Sequence, residues 1–494
     1  MEHLVNICDT IPIGIQMYRK LIVRVAEGKG LPKSTGVRMD VYVEERLVGR
    51  TRLIESHNPF WGEEIEVDLA DDELILEAIL LKKKKSNHHS FQTSEIGRIT
   101  LNLDNADKGE NWYSIVNHKS RKKTVINIRM SISYEELILL TEDKFQKLLQ
   151  ILFDESTKYQ IISILSKSTI PELPQLLCLI SEKCCTTAKL LIDLLHRELY
   201  QTETTKETLF RGNSLSIQIM EHYMKLVGCY WLDCLNPVVK LVDSTASCEV
   251  RERCLHDNST IEENFNNLKH IYEATTTAIF NSASQCPTQL KKIFFFLRKN
   301  TEEYFKDKSA GINAVTGFVF LRFFVPAVMA PKMFGLLTSY SSPHSETSFR
   351  LLATLLQKLA NRQHFDTKDS HLDRFNEFLE RDQKRLINFI KEICNYQENE
   401  PQRTEESPNI QPQIPFVLSR FCCCLNENVE LLEEHLPDKW VVTFLSELSS
   451  ITDEMKFLTK KWKTNQAKRR QEAEYQQTRK KSREGVPNLL SPKK

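Results

Sequence analysis

The sequence predicts two folds in series, an all-β sandwich followed by a longer all-α domain, and three observations carry that expectation. Residues 17 to 133 alternate apolar and polar side chains in short runs punctuated by turn residues. From "SYEELILLTEDKFQKLLQILF" onward, apolar residues recur three and four apart with few helix breakers. A chain of 494 residues also exceeds what one compact core organises, so the multidomain reading is the natural one.

The β region opens with "MYRKLIVRVAEGKGLP", where Leu21, Val23 and Val25 alternate until Gly28, Gly30 and Pro32 stop the run. Val41, Val43 and Leu47 repeat the pattern, and "EEIEVDL", "ELILEAILL", "IGRITLNL" and "KTVINIRMSI" continue it. Short strands at this spacing suggest an antiparallel sandwich. The domain plan is then an N-terminal extension 1–16, the sandwich 17–135, a helical domain 140–455, and a basic tail 456–494 of helical and disordered character. The Pro-, Glu- and Gln-rich segment 395–415 reads as a mobile loop inside the helical domain.

Composition excludes several classes. The formal net charge is +1 and the chain is 41% hydrophobic and 27% charged, an ordinary globular balance with no overall basic footprint for nucleic acid. There are 14 glycines and no G-x-x-x-x-G-K run, which argues against a phosphate loop. The N-terminus lacks the pattern of a secretory signal, and no uninterrupted apolar run is expected to span a membrane. Thirteen scattered cysteines lack zinc-site spacing, so no metal is expected and the thiols read as reduced and intracellular.

Function is carried by separated stretches. "TLFRGNSL", residues 208–215, sets an arginine between an apolar anchor and a turn, just before an amphipathic helix. "FVFLRFFVPAVMAPKMFGL" follows at 318–336, and "LLATLLQKLANRQHF" at 351–365. In this order, the three motifs resemble the Ras GTPase-activating protein family. The resemblance covers residues 140–455 and includes "SCEV" and "RFNEFLE". With "NPFWGEEIEVDL" in the sandwich, it is closest to the synaptic group, in which a C2 domain precedes the RasGAP domain.

That resemblance implies a GTPase activator that is not itself an enzyme and uses no cofactor, completing instead the active site of a GTP-bound small GTPase. It places the arginine finger at Arg211 and the residue that holds the finger loop at Arg322. From the residues alone, Gly212 and Asn213 tolerate unusual backbone angles, and Asn213 or Ser214 can cap the next helix. Leu209 and Phe210 can pack down while Arg211 projects. Arg322 stands in so apolar a run that its guanidinium needs partners, and Pro326 is expected to bend or end its helix. The resemblance further implies partner contacts at Thr208, Leu321, Gln357, Asn361 and Lys368, with Asp369 standing where the family carries Glu.

The sandwich raises a separate question. Its first loop region keeps only Asp40 and the later one has no aspartate, so a calcium site is not expected. Lys82, Lys83, Lys84 and Lys85 occupy that later loop. They are candidates for anionic lipid or for a solvated loop, and the resemblance implies a third role, assisting activity toward Rap. The tail is likewise either solvated or a contact for lipid or an acidic partner. The expected partner is GTP-bound Ras, with Rap as a second target, no nucleic acid, and cytoplasmic localisation with peripheral attachment to the inner plasma membrane. Alternatives are a dual Ras/Rap activator, a membrane-associated non-catalytic Ras-binding scaffold, and a lipid-binding adaptor.

Overall fold

The computed structural model describes residues 14–31, 36–70, 73–83, 93–103, 106, 109–117, 124–154, 158–168, 170–201, 205–206, 209–252, 260–337, 343–397, 413–435 and 438–484. The chain divides into two compact units, residues 1–149 together with 442–494, and residues 150–441. Most of the segment expected to be a mobile loop, 398–412, lies outside the described residues.

The first unit contains β1 (Gln16–Lys29), β2 (Gly36–Val43), β3 (Arg46–Arg50), β4 (Ile54–Glu55), β5 (Phe60–Asp68), β6 (Ile75–Lys83), β7 (Thr93–Asn102), β8 (Gly109–Asn117) and β9 (Thr124–Leu139). They form two antiparallel sheets ordered β5-β1-β9-β8 and β3-β2-β6-β7, with β4 beside β2. The expected β sandwich is therefore borne out. Its core follows from period-two alternation: Leu21, Val23 and Val25 of β1 and Ile126, Ile128 and Met130 of β9 are fully buried. Two readings need correction. "NWYSIV" is a strand, β8, although the sequence series omits it. Residues 133–139 are not helical but finish β9, pairing Ser133 with Ile22 and Leu139 with Gln16. Their run of Leu and Ile fits either structure locally, and the long partner β1 decides it.

Arg19 breaks the alternation, because it occupies a core-facing position of β1 and is 1% exposed. Its guanidinium donates to Tyr134 Oη at 2.7 Å, to the Glu73 carbonyl at 3.2 Å and to the Ala70 carbonyl. It also lies 5.6 Å from the Trp462 ring. Trp462 belongs to the helix Asp438–Glu484, so the basic segment begins as a continuous helix. Phe444, Leu448, Ile451, Met455, Leu458 and Trp462 recur at helical spacing and are all buried. Lys463–Glu136 at 2.8 Å and Lys144–Glu454 at 2.8 Å fasten the same face.

In the second unit, helices Leu173–Lys183, Thr187–Gln201 and Leu215–Val227 are followed by Ile261–Asn281, Thr288–Phe305 and Lys308–Thr316. Thr260 and Glu263 start the fourth of these with a reciprocal capping box. From Gly317 to Phe324 the chain winds as a π-helix, with Val325 N–H bonded to the Phe320 carbonyl five residues back. Pro326 contributes to this loosening, since it has no N–H to offer the Arg322 carbonyl. Helices Val325–Met329, Pro343–Asn361, Asn376–Ile393 and Ile414–Glu427 follow, and Lys158–Leu165, Asn236–Ser244 and Val429–His435 are shorter helices of the same unit.

The π-helix is seated in an aromatic core. Trp231 lies 5.5 Å from Phe323 and 5.0 Å from Phe324, and its indole N–H donates to the Ser282 carbonyl at 3.0 Å. Gly228 permits this approach, because a Cβ there would stand 2.7 Å from Phe323 Cζ. Lys308–Met329 is long and apolar enough by composition to cross a membrane, though Asn313 and Arg322 interrupt its apolar run, and 67% of its most apolar window is buried inside the protein. It is the central core segment of the helical unit.

Replacing Trp462 with Ala should cost the first unit about 3 kcal/mol or more, because it opens a cavity beside a buried charge. Urea denaturation followed by circular dichroism at a β-sheet wavelength reads this as a lowered midpoint. An unchanged midpoint would show that the helix is dispensable to the sandwich.

Candidate functional site

The loop between Leu209 and Ser214 is built from both ends. Leu209 and Phe210 are buried, with the Phe210 ring 5.6 Å from Phe318. The unusual backbone angle falls on Phe210, at φ +54°, and not on Gly212 or Asn213. For a bulky residue that conformation is strained by about 1–3 kcal/mol, so the surroundings must hold it. Ser214 caps the helix Leu215–Val227 by accepting from Ile217 N–H at 3.4 Å. It also donates to Glu198 at 2.7 Å, which brings a carboxylate to the positive end of that helix. Gln218 donates to the Asn213 carbonyl at 2.8 Å.

Arg322 supplies the central fastening. Its Nη2 donates to the carbonyls of Phe210 and Gly212, both at 2.8 Å, and its other terminal nitrogen pairs with Glu221. The two carbonyls flank Arg211. One planar guanidinium thus grips the backbone on either side of a second arginine, which a lysine ammonium cannot do with the same geometry. Arg211 itself is exposed, and its guanidinium donates to Asn361 Oδ1 at 3.3 Å.

Arg211, Arg322, half-buried Leu321 and Asn361 line one cleft of about 800 Å³. Lys206 and Asp307 close one rim as an ion pair at 2.8 Å. The hydrogen bond from Lys206 and the Ser309 donors hold the Asp307 carboxyl down at about 2, so the pair stays charged at every physiological pH. Gln357 is exposed one turn before Asn361 but does not line the cleft. Lys368 lies in the 3₁₀ segment Thr367–Phe375, its side chain outside the described residues, as is the whole of Thr208.

In the sandwich, Lys82 and Lys83 end β6 half-exposed, with Lys83 4.0 Å from Glu55, while Lys84 and Lys85 lie outside the described residues. Asp40 is a mid-strand residue of β2, buried and paired with Arg38 at 2.8 Å and Arg50 at 3.1 Å. Among the described residues no cluster of metal-ligating side chains occurs.

Glu198, Glu221 and the Lys206–Asp307 pair are not singled out in the sequence, because each acts through a partner at least sixteen residues away. Arg362 is a further member of the cleft. It follows Asn361 directly, and burial pulls its guanidinium below its ordinary pKa.

Two family models match the chain, one in the sandwich and one in the helical unit. The family described as GTPase-activator protein for Ras-like GTPase matches residues 243–361, and the C2 domain family matches residues 19–115. The first match includes Leu321, Arg322, Gln357 and Asn361, and begins beyond Arg211. The Ras GTPase-activating protein gap-2 of Caenorhabditis elegans is 26% identical over 412 residues, covering 78% of this chain and 34% of that protein. The probable Ras GTPase-activating-like protein ngap of Dictyostelium discoideum is 28% identical, covering 66% and 37% respectively. Human Disabled homolog 2-interacting protein is 28% identical, covering 84% and 35%. The chain therefore spans little more than a third of the length of these relatives.

Replacing Arg322 with Ala strips the donors from two carbonyls and leaves Glu221 without its cation. At about 1–3 kcal/mol for such groups, exchange of the bonded amides that flank the loop, Leu209 on the Thr205 carbonyl and Ile217 on Ser214, should quicken by roughly 10- to 100-fold. Hydrogen-exchange mass spectrometry of the peptide containing the loop provides the measurement, and unchanged protection would remove Arg322 from this role.

Proposed function

We propose that this chain is a GTPase activator that stimulates GTP hydrolysis by Ras-type small GTPases, with Arg211 supplied in trans. The observation that carries the reading is the grip of Arg322 on the Phe210 and Gly212 carbonyls, which presents Arg211 outward from a fixed backbone. Hydrolysis on such a GTPase is slow because charge building on the transferring phosphoryl group is incompletely stabilised. A permanently protonated, planar donor fork meets that charge, and it is effective only when held in place beforehand. For Ras-type GTPases in general, an arginine delivered in trans raises the rate by about 10³–10⁵. The GTPase remains the enzyme, and this chain completes its active site.

In single-turnover hydrolysis by GTP-loaded Ras and by GTP-loaded Rap, Arg211→Ala should lower the stimulated rate by about 10³ or more. Binding of the GTP-loaded partner should change by less than about tenfold, since the finger acts on the transition state. Equal stimulation by wild type and variant would falsify the finger assignment, and comparison of the two GTPases decides the target.

The C2 domain supports cytoplasmic localisation with peripheral attachment to the inner plasma membrane. Each basic residue near an anionic surface contributes about 1 kcal/mol, so replacing Lys82 to Lys85 with Ala should release the chain from phosphatidylserine vesicles in a sedimentation assay. The same binding with and without chelator is expected, and loss on chelation would instead point to calcium.

A further inference from the structure

Arg362 stands where local conformation favours another residue. The helix Pro343–Asn361 ends with Gln363 N–H bonded to the Lys358 carbonyl at 3.0 Å and Arg362 N–H to the Leu359 carbonyl at 3.1 Å. That pair of bonds is the Schellman arrangement, whose turning residue is left-handed and usually glycine. Here the turning residue is Arg362, at φ +53°. A long side chain at this position costs stability relative to glycine, so the fold alone does not call for it.

The side chain makes the second point. Arg362 is half-buried and lines the cleft of Arg211, yet its guanidinium has no hydrogen bond, ion pair or ring contact among the described residues. The other cations of that cleft are engaged: Lys206 by Asp307, Arg322 by Glu221 and two carbonyls, and Arg211 by Asn361. Covering the cleft with an apolar surface would strip water from a charge that has nothing to replace it. Whatever fills this space must bring an acceptor to Arg362.

We propose that Arg362 is a docking residue that donates to a carboxylate of the incoming GTPase and sets partner affinity, separately from the finger. This rests on reading the cleft as the seat of a Ras-type partner. Arg362 belongs to a helix end outside the finger loop, so its contact forms on association and acts on the ground state and transition state alike.

The test uses Arg362→Gly, which suits the left-handed turn and should leave the thermal midpoint unchanged or raised. With GTP-loaded Ras, KM should rise roughly tenfold or more at nearly constant kcat, the loss expected of one charge-assisted hydrogen bond. The difference should shrink as salt is raised, and Arg362→Lys should recover part of it. Direct titration of Ras loaded with a non-hydrolysable GTP analogue onto Arg211→Ala, with and without Arg362→Gly, reads docking without chemistry. Failure of the finger reading and failure of this inference are therefore seen separately. An unchanged KM and Kd would overturn it, as would a fall in kcat alone or a lowered thermal midpoint.

Discussion

The contact on which the rest of the helical unit depends is the double hydrogen bond from Arg322 to the carbonyls of Phe210 and Gly212. It joins segments more than a hundred residues apart and holds Phe210 in a left-handed conformation that a bulky side chain would otherwise leave. Its reliability rests on what lies beneath it. Arg322 rides on a π-helical turn whose apolar side is locked by Phe323 and Phe324 against Trp231, and Trp231 is oriented by Ser282. Gly228 lets the preceding helix end approach that stack. An exposed arginine thereby inherits the rigidity of a buried aromatic cluster.

The cleft divides its charges by task. Arg322 is consumed within the chain, with Glu221 and two carbonyls, so it adds order without offering much to a partner. Arg211 is only lightly held, by one long bond to Asn361, which leaves most of its donors available. A tightly paired finger would have to break its own ion pair before reaching a phosphate; an unanchored one would bear the entropy of being ordered at each encounter. The arrangement avoids both costs by fixing the backbone and leaving the side chain nearly free.

Much of this architecture is legible in the sequence, and the exceptions have identifiable causes. Leu21, Val23 and Val25 reveal β1 because one face of the sheet is buried and the other is not. Residues 133–139 mislead because a Leu- and Ile-rich run satisfies strand and helix periods equally, and only the length of β1 settles the matter. β8 escapes notice because Trp112, its largest side chain, is 44% exposed at a sheet edge. The arginine loop and the Phe-Leu-Arg stretch stand out as motifs, whereas Glu198 and Glu221 look like ordinary helical surface charges. Arg362 is hidden for a different reason: "LANRQ" has no glycine to mark the helix end, and the left-handed turn is visible only in three dimensions.

Arg19 and Trp462 set a timing problem for the living cell. The strand that carries Arg19 is made before the helical unit, but the helix that covers its guanidinium is made only after that unit. At roughly 5–20 residues per second, the interval is on the order of tens of seconds. During it, Arg19 keeps its bonds to Tyr134, Ala70 and Glu73 but lacks the indole, and the surface that Phe444 to Trp462 cover faces water. The sandwich therefore takes its last core-covering element from a segment made about 300 residues after its final strand.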